Sequence, residues 1–256
     1  MFGRKKTDDD LETYALPPEE QALEDAELLA LIDEKLADDP EDAAAAPGRP
    51  TGPWDAEDAP DDEVQRIDLG ALQIPVPDGT EVRVDVSPEG EVVAATMVQG
   101  DNAMQINVFA APKRSGIWSE VRTEIADALV QSGGSTEQVS GPYGTELRAQ
   151  VPTEVPNQGT MLAPARFLGV DGPRWFLRAL ITGPAATDDS QAAGLEAALR
   201  DVVVARGSEA MAVRDPLPLH LPRDVAEQAA AAVAEQEGAD GGLPMPERGP
   251  EITETR

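Results

Sequence analysis

The chain lacks cysteine, has one histidine and contains no long apolar run, and each absence excludes a class of protein. Without cysteine it forms no disulfide, no thiolate zinc site and no cysteine nucleophile. The single histidine, His220, lies in a proline-rich segment, which argues against a three-histidine zinc site and a serine–histidine relay. No apolar run approaches the roughly 18 residues of a membrane span. No secretory signal is evident at the start, so we expect a cytoplasmic protein with no membrane partner.

Basic residues are also scarce, since 20 Lys and Arg face 49 Asp and Glu, for a net charge of −29. Such a chain has no general attraction to phosphate backbones, and we expect no nucleic-acid partner. The glycines form neither Gly-x-x-x-x-Gly-Lys-Ser/Thr nor Gly-x-Gly-x-x-Gly. No group of acid–base side chains converges on one motif. We therefore predict no catalytic residue, no metal site and no cofactor, and we expect that the chain is not an enzyme.

The acid is concentrated at the N-terminus, where residues 1–63 hold 21 Asp and Glu against 5 Lys and Arg, a net charge of −16. A segment of this composition buries too little apolar surface to offset its ordering entropy, so we predict a disordered acidic arm. Within it, residues 18–37 predict a short helix with one apolar stripe, formed by Leu28, Leu31, Ile32 and Leu36. The stripe indicates either a recognition helix that orders against a groove or a transient helix that contacts nothing stable.

Residues 64–222 predict a single α+β domain, because alternating strand patterns are interrupted by two amphipathic helical patterns. The helices are expected at about 117–129 and 188–203, each ended by glycine. We predict an antiparallel sheet of six or seven strands with both helices packed on one face. Residues 223–256 are alanine-rich, and we expect a mostly disordered tail.

A first candidate patch combines arginines with an aromatic side chain on the strongest strand pair. If a three-residue loop joins these strands, Arg166 faces Arg178, and a patch for an anion or a partner forms from Arg166, Arg174, Phe176 and Arg178. Alternatively, neighbouring strands supply carboxylates to these arginines. A two-residue loop would change the pairing and remove the patch. One hypothesis is that the acidic arm docks here, with its apolar stripe covering Phe176.

A second candidate patch lies at a junction between a strand and a helix. Lys113, Arg114 and Trp118 would place two cations and an indole at a helix start, where an anion or a carboxylate-rich peptide binds. The alternative is that Trp118 packs as a lid on the edge of the core while the cations are solvated.

Several short motifs across 64–222 together resemble those of an actinobacterial family of cytoplasmic proteins described as a domain of unknown function. The segments that carry the resemblance are Arg66–Gly70, Ile74-Pro75, Asn107–Pro112, Gly116–Trp118, Glu120–Arg122, Gly169–Trp175 and Leu217–Leu219. The resemblance implies an acidic, variable N-terminal arm, and a gene neighbourhood that includes a deoxyuridine-nucleotide hydrolase. It implies no activity, cofactor or catalytic residue.

Two functions follow from these observations. The first is a non-catalytic protein-interaction module with an unknown protein partner, built from a compact core with flexible acidic ends. The alternative is a small-molecule or nucleotide-binding protein accessory to nucleotide metabolism, using Lys113, Arg114 and Trp118.

Overall fold

A computed structural model describes residues 51–87, 90–114, 116–155 and 159–222. The chain divides into two compact units, Met1–His220 and Leu221–Arg256. The strands in the described residues are β1 (Trp54–Asp55), β2 (Arg66–Asp68), β3 (Leu72–Pro75), β4 (Glu81–Val86), β5 (Val92–Gln99), β6 (Asn102–Ala110), β7 (Ser135–Gly141), β8 (Gly144–Val155), β9 (Gly159–Gly172), β10 (Trp175–Thr182) and β11 (Val203–Val204). The helices are α1 (Trp118–Gln131) and α2 (Asp189–Arg200), with a 3-10 turn at Pro184–Ala186.

Seven of these strands form one antiparallel sheet in the order β4-β5-β6-β10-β9-β8-β7. Two meanders, β4–β6 and β7–β10, meet where β10 pairs with β6. All eight residues of β10 are buried, as expected for a strand in the middle of a covered sheet. The predicted α+β fold, with an antiparallel sheet of six or seven strands and two helices, is confirmed.

The two helices do not share one face of this sheet, contrary to the prediction. Leu177, Ala179 and Ile181 of β10 lie in one apolar cluster together with α2, whereas Phe176 and Leu180 lie in another together with α1. Successive side chains of a strand point to opposite faces, so α1 and α2 cover opposite sides. We call these sides the α1 face and the α2 face. Amphipathic periodicity shows that a helix buries a stripe, but it does not show on which side of the sheet.

A second sheet of four strands, in the order β1-β11-β3-β2, packs on the α2 face. Its strands β2 and β3 are neighbours in the chain and pair with each other. β1 lies within the range 1–63 that was predicted to be a disordered arm, so that boundary is wrong. Trp54 N–H donates to the carbonyl of Val202, and the indole of Trp175 donates to Asp55 Oδ2 at 2.7 Å. The folded part therefore begins well before Val64.

Local chemistry explains where α2 begins and where α1 ends. The side chain of Asp188 caps α2 by accepting from the N–H of Ser190. At the end of the other helix, α1, the N–H of Gly134 donates to the carbonyl of Leu129, and Gly133 has a φ of +94°. That positive φ is the left-handed conformation that commonly ends helices.

Candidate functional site

The turn between β9 and β10 decides where the predicted arginine patch lies. Gly172 pairs with Trp175, so the hairpin turns through two residues, Pro173 and Arg174. The predicted three-residue loop, which would place Arg166 opposite Arg178, is therefore wrong. Arg174 adopts a φ of +61°, a conformation that tight hairpin turns need and that side chains other than glycine seldom adopt. Without a glycine at this position, the sequence carries no clear signal for the shorter turn.

This register separates the four residues of the first candidate patch. Arg166 pairs with Ile181 and lies on the α2 face, whereas Arg178 pairs with Gly169 and lies on the α1 face beside Phe176. An odd shift in register moves every side chain of one strand to the other face. Arg174 is in the turn itself, where its Nη2 donates to the carbonyl of Gly207. The four residues do not form one surface.

Arg166 is the centre of a buried ionic network rather than part of an open patch. Its Nε and Nη2 donate to Glu146 Oε1 and Oε2 at 2.8 and 2.7 Å, and both side chains are at most 2% exposed. Nη2 also lies 2.6 Å from Glu196 Oε1. Arg148 joins the network by donating to Glu146 and to Asp189. The alternative prediction therefore holds for Arg166, because the neighbouring strand β8 supplies the carboxylate of Glu146.

The network ties α2 to the sheet, because Glu196 and Asp189 belong to α2 while Arg166 and Glu146 belong to β9 and β8. Burial acts to lower the pKa of Arg166, but its hydrogen bonds and the charges of Glu146 and Glu196 outweigh burial and raise that pKa. Arg166 therefore stays protonated at every pH the fold meets. These charges are held by one another, which makes the network a structural connection.

The second candidate patch is also divided. Lys113 and Arg114 are exposed, whereas Trp118 is only 6% exposed. The Trp118 indole donates to the carbonyl of Thr145 at 2.6 Å, and the ring fits against Gly169, where an added Cβ would meet ring atoms. Trp118 thus packs on the core, as the alternative interpretation predicts.

An acid already occupies the start of α1, where an anion was expected to bind. Asp171 Oδ1 accepts from the backbone N–H of Ile117 at 2.8 Å and from that of Trp118 at 3.2 Å. The chain thereby satisfies the unpaired N–H groups at its own helix N-terminus with a carboxylate from β9. This contact takes the donors that a bound phosphate would use.

A different group of polar side chains converges on the α1 face, across β4, β5, β6 and β10. The register places them side by side, and we call them the polar cluster: Asp85, Thr96, Gln105, Asn107 and Arg178. Thr96 Oγ1 and Gln105 Nε2 both donate to Asp85 Oδ2, at 2.8 and 3.0 Å. Asn107 Nδ2 donates to the carbonyl of Val93 at 3.3 Å, and Arg178 Nη2 lies 3.4 Å from Asn107 Oδ1.

Arg178 is the most deeply buried member of the polar cluster, at 0% exposure. Its guanidinium lies over the ring of Phe109, 5.5 Å from the ring centroid. Phe109 stacks on Phe176, which in turn stacks on Trp118 of α1. The polar cluster therefore continues directly into the apolar cluster beneath α1, and Phe176 is covered by Trp118.

The low solvent exposure of its side chains distinguishes the polar cluster from the solvent-exposed polar face of an ordinary sheet. Thr96, Gln105 and Asn107 are 7 to 8% exposed. The helix on this face, α1, lies over β7, β8 and β9, at the other end of the sheet. Gln105 Oε1 is buried and accepts no hydrogen bond from any described residue. Thr96, Gln105, Asn107 and Arg178 are therefore removed from water although α1 lies elsewhere on the face, whereas Asp85 is partly exposed.

Sequence reasoning missed the polar cluster as a site. In the sequence, Gln105 and Asn107 alternate with apolar residues in 103–110, and Asp85 alternates with the valines of β4. A polar side is ordinarily solvated, so alternation by itself gave no reason to expect burial. The signal that could have found the cluster is Arg178, a cation within an otherwise apolar strand.

The other predicted site residues, Leu28, Leu31, Ile32 and Leu36 of the candidate recognition helix, lie outside the described residues, as do 18–37 as a whole and 223–256. In the described part of the chain, no group of three or more His, Cys, Asp or Glu side chains is arranged to hold a metal ion. Among those same residues, no helix has the length and apolar character needed to cross a membrane.

Comparison with known proteins gave one finding. A family model described as Protein of unknown function (DUF3710) matches residues 52–228. The match begins beside β1, which agrees with a folded part that starts before Val64. Neither a curated protein nor a solved structure matched the chain.

Proposed function

We propose that this chain, which belongs to the family described as Protein of unknown function (DUF3710), is a non-catalytic protein-interaction module that binds an acidic segment on its polar cluster. The observation that carries the proposal is the complete burial of Arg178 within a set of hydrogen-bonding side chains. Arg178 brings a cation to this set of polar side chains, and a site of that chemistry complements an acid-bearing protein segment.

The placement of the other charged side chains supports a role in binding rather than in catalysis. Glu146 and Arg166 are engaged with each other, and Asp171 caps α1. Arg214, near the end of the domain, is held between Glu120 and Glu124 of α1. A catalytic acid or base has to reach a substrate, and these groups are committed to contacts within the fold.

The alternative of a nucleotide-binding protein has less support. It depended on Lys113, Arg114 and Trp118 acting together at a helix start, but Trp118 is packed on the core and Asp171 takes the donors of the helix. We expect no increase in melting temperature when nucleotides or inorganic phosphate are added to the intact chain.

The test uses the intact chain with Arg178→Lys, treated with a carbodiimide in an extract of the native host. Carbodiimides join an amine to a carboxylate in direct contact, and mass spectrometry identifies the residue joined to position 178. We expect a glutamate or aspartate from outside residues 51–222, in this chain or in another protein. The matched control is Arg200→Lys, because Arg200 is an exposed residue of α2.

Two outcomes would contradict the proposal. One is the absence of any product at position 178 in a variant that melts cooperatively. The other is a product formed with Asp85 alone, which would mean that the polar cluster only satisfies itself.

A further inference from the structure

We infer that one end of the seven-stranded sheet carries a basic surface that binds an acidic protein segment, separately from the polar cluster. We call this surface the basic rim, and it consists of Lys113, Arg114, Arg174 and Arg206. The inference does not depend on the proposed function, because the basic rim and the polar cluster share no residue. It follows from the position of the four cations, from their contacts within the described residues, and from the backbone conformation of Arg174.

Backbone hydrogen bonds bring the basic rim together at the end of β6 and the start of β10. The N–H of Ala111, one residue beyond β6, donates to the carbonyl of Arg174 in the turn before β10. Lys113 and Arg114 follow Ala111 along the chain. Arg206, which follows β11, donates from Nε to the same carbonyl of Arg174 at 3.2 Å. Three segments that are far apart in the chain therefore place their cations at one end of the sheet.

Within the described residues, the cations of the basic rim have no carboxylate partner, unlike most other basic side chains there. The ion pairs of that part of the chain hold Arg66, Arg83, Arg148, Arg166 and Arg214. Arg174 and Arg206 donate to backbone carbonyls instead, and Lys113 and Arg114 are exposed. A guanidinium bound to a carbonyl keeps its charge and several N–H donors. In a chain of net charge −29, this end of the sheet is complementary to an acidic segment.

The nearby acids show which kind of anion the basic rim suits. Asp171 accepts from the N–H groups at the start of α1, and Asp215 accepts from a backbone N–H of its own loop. The carbonyl of Glu209 accepts from Arg206, but the Glu209 carboxylate forms no ion pair with a described residue. A bound phosphate commonly uses the N–H groups of a helix start, which Asp171 takes here. Cations spread over three segments suit an extended peptide with several carboxylates.

The backbone of Arg174 is a second, independent indication of function. Among the described residues, only two that are not glycine have a positive φ, namely Arg174 at +61° and Arg214 at +73°. Both lie at the end of β6, since the N–H of Arg214 donates to the carbonyl of Ala110. The guanidinium of Arg214 is held by Glu120 and Glu124, whereas Arg174 has no such ion pair. A strained residue of this kind commonly marks a functional site, because glycine would form the turn without strain.

The test measures binding of a fluorescein-labelled peptide of ten glutamates to the intact chain by fluorescence anisotropy. A salt concentration of 0.15 M screens charges more than about 8 Å away, so that the acid elsewhere in the chain has little effect. The first variant is Arg174→Gly, which removes the guanidinium but retains a residue that adopts a positive φ freely. The second is K113Q/R114Q, which changes two exposed side chains. The matched control, Arg83→Gln, removes a cation that is paired with Glu81 on β4.

We expect Arg174→Gly to weaken peptide binding about threefold, the effect of one exposed charge pair, while its melting temperature stays the same or rises. Adding K113Q/R114Q to Arg174→Gly should weaken binding at least tenfold, and Arg83→Gln should change it less than twofold. Wild-type binding by Arg174→Gly and by K113Q/R114Q would overturn the inference, as would equal weakening by Arg83→Gln. Tighter binding of a labelled DNA duplex than of the peptide, lost in the same variants, would also overturn it in favour of a phosphate-bearing partner.

A second measurement locates the bound peptide. Lys113 is the only lysine in residues 51–222, and a carbodiimide joins its amine to a carboxylate in direct contact. We expect mass spectrometry to find the peptide joined to Lys113, at a yield that falls at least threefold in Arg174→Gly. Equal yields at Lys5, Lys6 and Lys35 would show unspecific reaction and refute the inference. The proposed function is tested at position 178 and the basic rim at position 113, so the two can fail independently.

Discussion

Removing Arg166 should destabilise the fold more than removing any surface arginine, because its partners are buried with it. In Arg166→Met, the carboxylate of Glu146 stays at 2% side-chain exposure and loses two hydrogen bonds of 2.7 and 2.8 Å. Breaking a buried pair from one side costs about 3–5 kcal/mol, since the remaining charge is left without water and without its partner. Arg148 still contacts Glu146 at 3.2 Å, so we expect a loss of about 3–4 kcal/mol, in the lower half of that range.

Glu146→Gln should cost less, because Arg166 keeps Glu196 at 2.6 Å and the amide can still accept one hydrogen bond. We expect a loss of about 2 kcal/mol, the value typical of a hydrogen bond to a charged group. The double variant Arg166→Met with Glu146→Gln should lose less than the sum of these two single variants, by about 1 kcal/mol or more, since it leaves no buried charge from this pair.

The assay is urea unfolding of the intact chain at pH 7, in low salt and in 0.5 M salt. The control is Glu81→Gln, which breaks the ion pair of an exposed glutamate with Arg83 and should change the free energy of unfolding by less than about 0.5 kcal/mol. The cost of Arg166→Met should not depend on salt, because buried pairs are poorly screened. A cost below about 1 kcal/mol, or one that disappears in high salt, would refute the interpretation of this network as a buried structural connection.

Two further predictions concern the start of the domain and the cap of α2. A fragment of residues 51–222 should melt cooperatively and at a higher temperature than a fragment of residues 64–222. Only the longer fragment contains β1 and the Asp55 carboxylate that accepts from the indole of Trp175. Equal melting temperatures of the two fragments in a thermal scan would contradict this prediction. Hydrogen bonds from the side chain and backbone of Ser190 lower the pKa of Asp188 in the folded protein. The Asp188 carboxylate therefore stabilises the fold at pH values above its pKa in the unfolded chain, and this stabilisation is lost as the pH falls through its pKa in the folded protein. The difference in stability between wild type and Asp188→Ala should therefore shrink on acidification, and a difference that grows at low pH in urea titrations would show that the carboxylate is not the capping group.

The fold class was predictable because its signals are local. Alternation in β4, β5 and β6 requires only that one side of each strand is apolar, and the helical stripe of α1 is visible within 14 residues. Glycine marked the end of α1 for the same reason, but the expected glycine end of α2 is wrong, because α2 ends at Arg200 and residues 203–204 form a strand. The absence of cysteine and the single histidine limited the possible chemistry through composition alone.

The candidate site was predicted only in part. Arg178 was identified as a charged residue of interest, but it was paired with Arg166, which lies on the other face. The remaining members of the polar cluster come from β4, β5 and β6, and their hydrogen bonds to one another form only once these strands are aligned. Their burial depends on what lies above the sheet, which periodicity along a strand does not report.

The sequence by itself determined an α+β core and a strongly acidic composition ahead of it, because composition and periodicity act over short stretches of chain. The tertiary structure alone decided three things: the two-residue turn at Arg174 that sets the register, the pairing of β1 with β11 some 150 residues away, and the side of the sheet that each helix covers. The last two depend on contacts between residues far apart in the chain, and the turn matters because a shift of one residue in register reverses which face each side chain points to.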